Sequence, residues 1–199
     1  MKKLYKLLSP IVLVVLALSL LTGCSKPDDV VQQFLTAVQK GDFQKASSFV
    51  DKSSGNEFGK FNEVKDGMDG KAIFNTIAKS YKFEKPVQVS KKDDQAKVKI
   101  KVTSVDVSVA ITKSIGTVMP MAFANAFRED KEAADKEMEK LMMTTIIKNL
   151  SDKDATMATR EVTLDVKKNK DGDYKIVSDE NLQEALLANA KSLDKMFEK

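Results

Sequence analysis

The chain has 199 residues, 33 basic and 29 acidic, with one cysteine and neither histidine nor tryptophan. Without histidine, no Ser-His or Cys-His catalytic pair and no His-ligated metal centre can form within the chain. A single cysteine excludes an intramolecular disulfide, and the length suits one domain whose core is large enough to fold without one.

Met1-Lys2-Lys3-Leu4-Tyr5-Lys6 is a basic start, and Ile11 to Leu21 is an almost unbroken apolar run. That is the layout of a secretory signal peptide. The run is shorter than the ~20 residues a spanning helix needs, and the polar Ser25-Lys26-Pro27-Asp28-Asp29 behind it is no stop-transfer pattern. Leu21-Thr22-Gly23-Cys24 closes the run and resembles the lipobox of bacterial lipoproteins. The resemblance implies a diacylglyceryl group on the Cys24 thiol and cleavage just before it. A thiolate is the nucleophile such chemistry needs, and two acyl chains, at ~0.8 kcal/mol per buried methylene, anchor stably where one is marginal. The alternative is an uncleaved anchor, or a secreted protein whose cysteine is incidental. The expected organisation is a signal peptide over 1–23, a lipidated cysteine and short tether over 24–29, and one domain over 30–199. The expected location is the extracytoplasmic face of the cell membrane, held by Cys24. With Lys2, Lys3 and Lys6 removed, 30 basic residues face 29 acidic ones, so charge offers no case for nucleic-acid binding.

The domain opens with Val30, Val31, Phe34, Leu35 and Val38, an apolar stripe at helical spacing, with Asp28 or Asp29 as the expected N-cap. Gly41 suits a helix C-terminus, and Asp42 caps a second helix carrying Phe43, Ala46, Phe49 and Val50. The stretch from Phe34 through Lys40-Gly41-Asp42 to Ala46 resembles the opening of nuclear-transport-factor-2-like domains, and of Gram-positive lipoproteins of unknown function assigned to that superfamily. The resemblance implies helices over a cone closed by a curved antiparallel sheet. It transfers no catalytic residue, because the superfamily's histidine and carboxylate cone groups have no counterpart here.

Residues 53–70 read as a partly helical loop packed by Phe58, Phe61 and Val64, and Ala72 to Tyr81 as a further helix. Pro86 marks strand entry at Val87 and Val89. Gln95 to Ile111 predicts one long strand: Val98, Ile100 and Val102 alternate with lysines, then Val105, Val107, Val109 and Ile111 continue on the other parity. Such a phase change is the mark of a β-bulge, with Asp106 expected to face solvent. Residues 113–155 form an excursion too long for a strand connection, its second half an amphipathic helix. Val162, Leu164 and Val166 predict a strand, Asn169 to Asp173 a hairpin turn, Tyr174 and Ile176 its partner. Ser178 or Asp179 caps a last helix carrying Leu182, Leu186, Ala190, Leu193 and Phe197. The fold class is α+β: N-terminal helices and a C-terminal helix on a strongly curved antiparallel sheet, with a helical excursion between strands.

Asp152-Lys153-Asp154 begins like a calcium loop but lacks the glycine and glutamate such a loop requires. No phosphate loop and no Gly-x-Ser-x-Gly occurs, so no catalytic, cofactor-binding or metal residue is proposed and no cofactor is expected. The suggestive set is the excursion's methionines and phenylalanines, which make adaptable apolar surfaces or else simply contribute to the core. Met119, Phe123, Phe127 and Met142 are the candidate apolar binding surface. The expected function is a non-enzymatic binding module for an apolar ligand or an envelope protein. The alternative is a carboxylate-based enzyme in a cone-shaped cavity, and an importer's solute receptor is disfavoured by size.

Overall fold

The computed structural model describes residues 26–54, 58–62, 64–65 and 68–189. The leader, Cys24 and the segment 190–199, with Leu193 and Phe197, lie outside the described residues. The fold is α+β, with helices laid on one face of a mostly antiparallel six-stranded sheet.

Helix α1 (Pro27–Gln39) begins earlier than expected, with Lys26 at the N-cap in place of Asp28 or Asp29 and Pro27 inside the first turn. Proline's fixed φ suits that place, and Asp28 and Asp29 then complement the helix dipole rather than cap it. Val30, Val31, Phe34, Leu35 and Val38 are all buried. The helix closes on Gly41 at φ +69°, a conformation that favours glycine. Asp42 then caps α2 (Phe43–Ser48), its carboxylate accepting from the Lys45 backbone N–H at 3.0 Å.

The sheet runs β1 (Val50–Asp51), β8 (Tyr174–Val177), β7 (Met157–Lys168), β6 (Gln95–Val105), with β4 (Lys82–Phe83) and β5 (Val87–Lys92) sharing the far edge of β6. Among the described strands, β1 alone pairs in parallel, with β8. The β7–β8 turn contains Gly172 at φ +83°. Two short strands, β2 (Val64–Lys65) and β3 (Met68–Asp69), pair separately. Helix α3 (Gly70–Ala78) is capped by Asp69, and α6 (Glu180–Leu186) by Asp179. Alternation sorts the two faces: Val98, Ile100, Val102, Val162, Leu164 and Val166 are buried under the helices. The other face carries cross-strand ion pairs, Lys97 to Asp165 at 2.7 Å and Lys99 to Glu161 at 2.9 Å, a solvated surface typical of a sheet covered on one side. Between helices and sheet, the rings of Phe34, Phe43, Phe58, Phe61 and Phe74 form one cluster with centroids 5.0 to 6.2 Å apart.

The phase change after Val102 has a different cause from a bulge. Strands β6 and β7 stay in register from Gln95↔Lys167 to Val105↔Met157, and the chain then turns into helix α4 (Val107–Asn125). Asp106 is its N-cap: the carboxylate accepts from the Val109 N–H at 3.1 Å and is buried rather than solvent-facing. Val105 and Val107 are both buried, one as the last strand residue and the other as the first helical one. The register irregularity in this sheet lies between Gln88 and Ser90, on β5.

Candidate functional site

Residues 107–150 form a hairpin of two long helices, α4 and α5 (Lys131–Leu150). At ~1.5 Å per residue each is roughly 28–30 Å long. The core takes Val107 and Ala110 from the start of α4 and Ile146 and Leu150 from the end of α5, with Ile111 and Met142 packed against it. Among the described residues, nothing between 112 and 141 joins this core cluster; Val118 and Ala134 are buried within the hairpin itself. The hairpin is therefore rooted in the domain at its open end, while its middle and tip form an arm.

The root is heavily tied. The Asn189 amide donates to the second Asp106 carboxylate oxygen at 2.6 Å, and Asp106 forms a parallel bridge with Ala188. Arg160 Nε donates to the Glu184 carbonyl at 2.6 Å and Nη2 to the Ala185 carbonyl at 2.9 Å, closing the end of α6. Its Nη1 donates to Ser104 Oγ at 3.1 Å, and the buried Tyr81 hydroxyl donates to Ala185 O at 2.8 Å. Burial lowers the pKa of Arg160 and raises that of Tyr81; both keep their ordinary protonation at neutral pH, so the cluster is a set of fixed donors to a helix end.

Along the arm, α4 packs against α5 through Ala110, Ser114 and Val118, all buried. Ser114 Oγ accepts from the Asn149 amide at 2.8 Å. At the tip, Arg128 pairs with Glu137 at 2.5 Å and Lys131 Nζ donates to the Ala126 carbonyl. The candidate residues divide on this frame. Met119 and Phe123 lie on the side of α4 turned away from α5 and Phe127 follows in the turn just past the C-cap Ala126; they are exposed by 51%, 69% and 86%. Met142 is half-buried and packs against the core, so it does not share that surface. Met121, 53% exposed, lies instead toward α5, in a cleft of about 320 Å³ with Asn125, Glu137, Met138, Leu141 and Thr144. Sequence spacing carries the division: 119, 123 and 127 form one i, i+4 series and 114, 118, 121 and 125 another.

From Ser114 to Phe127 no residue is charged. By length and composition α4 is apolar enough to cross a membrane, and only 22% of that apolar window is buried. Its interior nonetheless holds Pro120, which has no N–H, so the Gly116 carbonyl loses its helical donor. In hydrocarbon such a group is costly unless a neighbouring group or a local adjustment of the helix re-satisfies it. A second cleft, about 370 Å³, lies on the polar sheet face; its carboxylate, Asp165, is the one ion-paired to Lys97.

No family model and no curated protein matches the sequence. Among solved structures, the chain is similar to one described as "a putative lipoprotein (ycdA)" from Bacillus subtilis, at 17% identity and a TM-score of 0.44. The match covers 83% of this chain and 48% of the other, so the chain spans about half the length of that protein.

Proposed function

We propose that this protein is a lipid-anchored, non-enzymatic binding module on the extracytoplasmic face of the cell membrane, and that the arm is its contact surface for an envelope protein. The observation that carries the reading is the exposed apolar stripe Met119, Phe123, Phe127 on an element that, between residues 112 and 141, buries Val118 and Ala134 within the hairpin and gives nothing to the main core cluster. Exposed apolar patches of this kind mark interaction sites in soluble domains. The stripe is convex and the neighbouring cleft open, which suits a protein surface better than an enclosed small apolar ligand. The anchor rests on Leu21 to Cys24 following a short apolar run. The absence of histidine, and an Asp165 already neutralised by Lys97, offer little to a carboxylate enzyme. The resemblance of residues 34–46 to nuclear-transport-factor-2-like domains is part of the same reading, supported by the left-handed Gly41 and the capping Asp42.

The test places a photo-activatable residue at Phe123 in the full chain, expressed with its own leader. Illumination of intact cells should give protein adducts from position 123 and not from Lys136 on the charged side of α5. Equal labelling from both positions, or none from 123, overturns the reading.

A further inference from the structure

We infer that the occupant of the stripe is the stripe of a second copy of this chain, paired antiparallel about a two-fold axis. The inference rests on the reading of the arm as a binding surface and names what it binds.

Gly116 is the starting point. It sits inside α4, where glycine costs ~1 kcal/mol relative to alanine, and a Cβ added there would meet nothing within 4 Å. Among the described residues nothing packs so closely on this position that it requires a glycine. On the helix surface it lies on the same side as Met119, Phe123 and Phe127, and there it makes a dent one side chain deep. A dent of this kind in an apolar stripe lets a neighbouring helix or a large side chain approach closely.

Antiparallel pairing of two α4 helices with its axis near residue 121 satisfies the whole face at once. Met119 of one copy meets Phe123 of the other, in both directions, as a two-fold interface requires. The ring of Phe127, which has no partner ring among the described residues, comes over the Gly116 dent. Lys113, near the start of one α4, comes beside Glu129 in the connection that follows the other. Lys113 and Glu129 are both exposed and neither has an ion-pair partner among the described residues. The neighbouring charges are by contrast already used, Arg128 on Glu137 and Lys136 on Glu132. The two hairpins together make a four-helix arrangement, the charged faces of both α5 helices outside and both apolar stripes inside. Since α4 packs principally against α5 and not against the sheet, the pairing requires no rearrangement of the domain.

The experiment uses the full chain in its own membrane, with single cysteines at Met119 or Phe123 and a short bismaleimide cross-linker. Cross-linked dimer is expected from Met119→Cys and Phe123→Cys and not from Asp135→Cys. Adding Gly116→Leu should cut the Phe123→Cys dimer at least tenfold while leaving the melting temperature at or above that of the parent, since the new side chain enters open space. Lys113→Glu and Glu129→Lys should each weaken the dimer, and the two together should restore it. Absence of the dimer band overturns the inference. If the photo-activatable residue at 123 then captures a different protein, the binding-surface reading stands with another partner; if it captures nothing, both fall.

Discussion

The side-chain amide of Asn149 donates to Ser114 Oγ at 2.8 Å, and Ser114 in turn donates to the Ala110 carbonyl at 2.8 Å. This short chain of bonds joins the two helices of the arm where they leave the core. Ser114 is fully buried, so the bond sits in low dielectric, and removing one partner strands the other. Ser114→Ala should therefore destabilise by about 1–3 kcal/mol. A double-mutant cycle with Asn149→Leu should show coupling of about 1 kcal/mol in urea denaturation. Strict additivity would mean that the arm's root is held by apolar packing alone.

Stability and binding should separate along the arm. Phe123→Ser and Phe127→Ser remove side chains that are mostly solvated, so the melting temperature should stay close to wild type. Phe74→Ala, in the centre of the aromatic cluster, should cost ~3–5 kcal/mol. Val102→Asp and Val107→Asp should each cost several kcal/mol by burying an unpaired charge. A large drop in melting temperature for both phenylalanine variants of the arm would return those residues to the core.

Arg160 should behave as a structural donor. It satisfies the Glu184 and Ala185 carbonyls at the end of α6 and reaches Ser104 on β6. Arg160→Met keeps the apolar stem but leaves the Glu184 carbonyl without its side-chain donor and Ala185 with that of Tyr81 alone, and should destabilise by about 2–3 kcal/mol. Tyr81→Phe removes one of two donors to Ala185 and should cost about 1 kcal/mol. Equal losses for the two variants would contradict this division.

Acid sensitivity should trace in part to Asp51. A hydrogen bond from Lys167, and then bonds from the Ser53 N–H and hydroxyl, hold its carboxyl below the usual value of 3.8. A carboxylate with a lowered folded pKa contributes stability above its unfolded value and loses it as pH falls through the folded one. Asp51→Asn should therefore flatten the fall of melting temperature below pH ~4 and leave the slope between pH 6 and 8 unchanged. An identical acid limb in the variant would assign the effect to other carboxylates.

The anchor is tested chemically. Cys24→Ala removes the only thiol and should abolish incorporation of labelled fatty acid, leaving the precursor unprocessed by the lipoprotein peptidase. Continued labelling of the variant would place the acyl group elsewhere.

What the sequence determined by itself was whatever depends on local periodicity and turn chemistry. The alternation of Val98, Ile100 and Val102 with lysines specifies a half-buried strand, and β6 is that strand. Gly41 and Asp42 end one helix and start the next because a left-handed residue and a side-chain acceptor are local needs, met within four residues. Val105 and Val107 were ambiguous for a physical reason: a strand that ends and a helix that begins both place apolar residues two apart across the junction. Asp106 then reads equally as a strand residue or as an N-cap. The second oxygen of that carboxylate accepts from Asn189, which is 83 positions away. The stripe Met119, Phe123, Phe127 was undetermined for a deeper reason. Four-residue apolar spacing marks a helix face but not what covers it, and the same letters serve a core or an interface. Only the tertiary structure decided, by laying α5 against Ala110, Ser114 and Val118, and so leaving the opposite face of α4 to solvent.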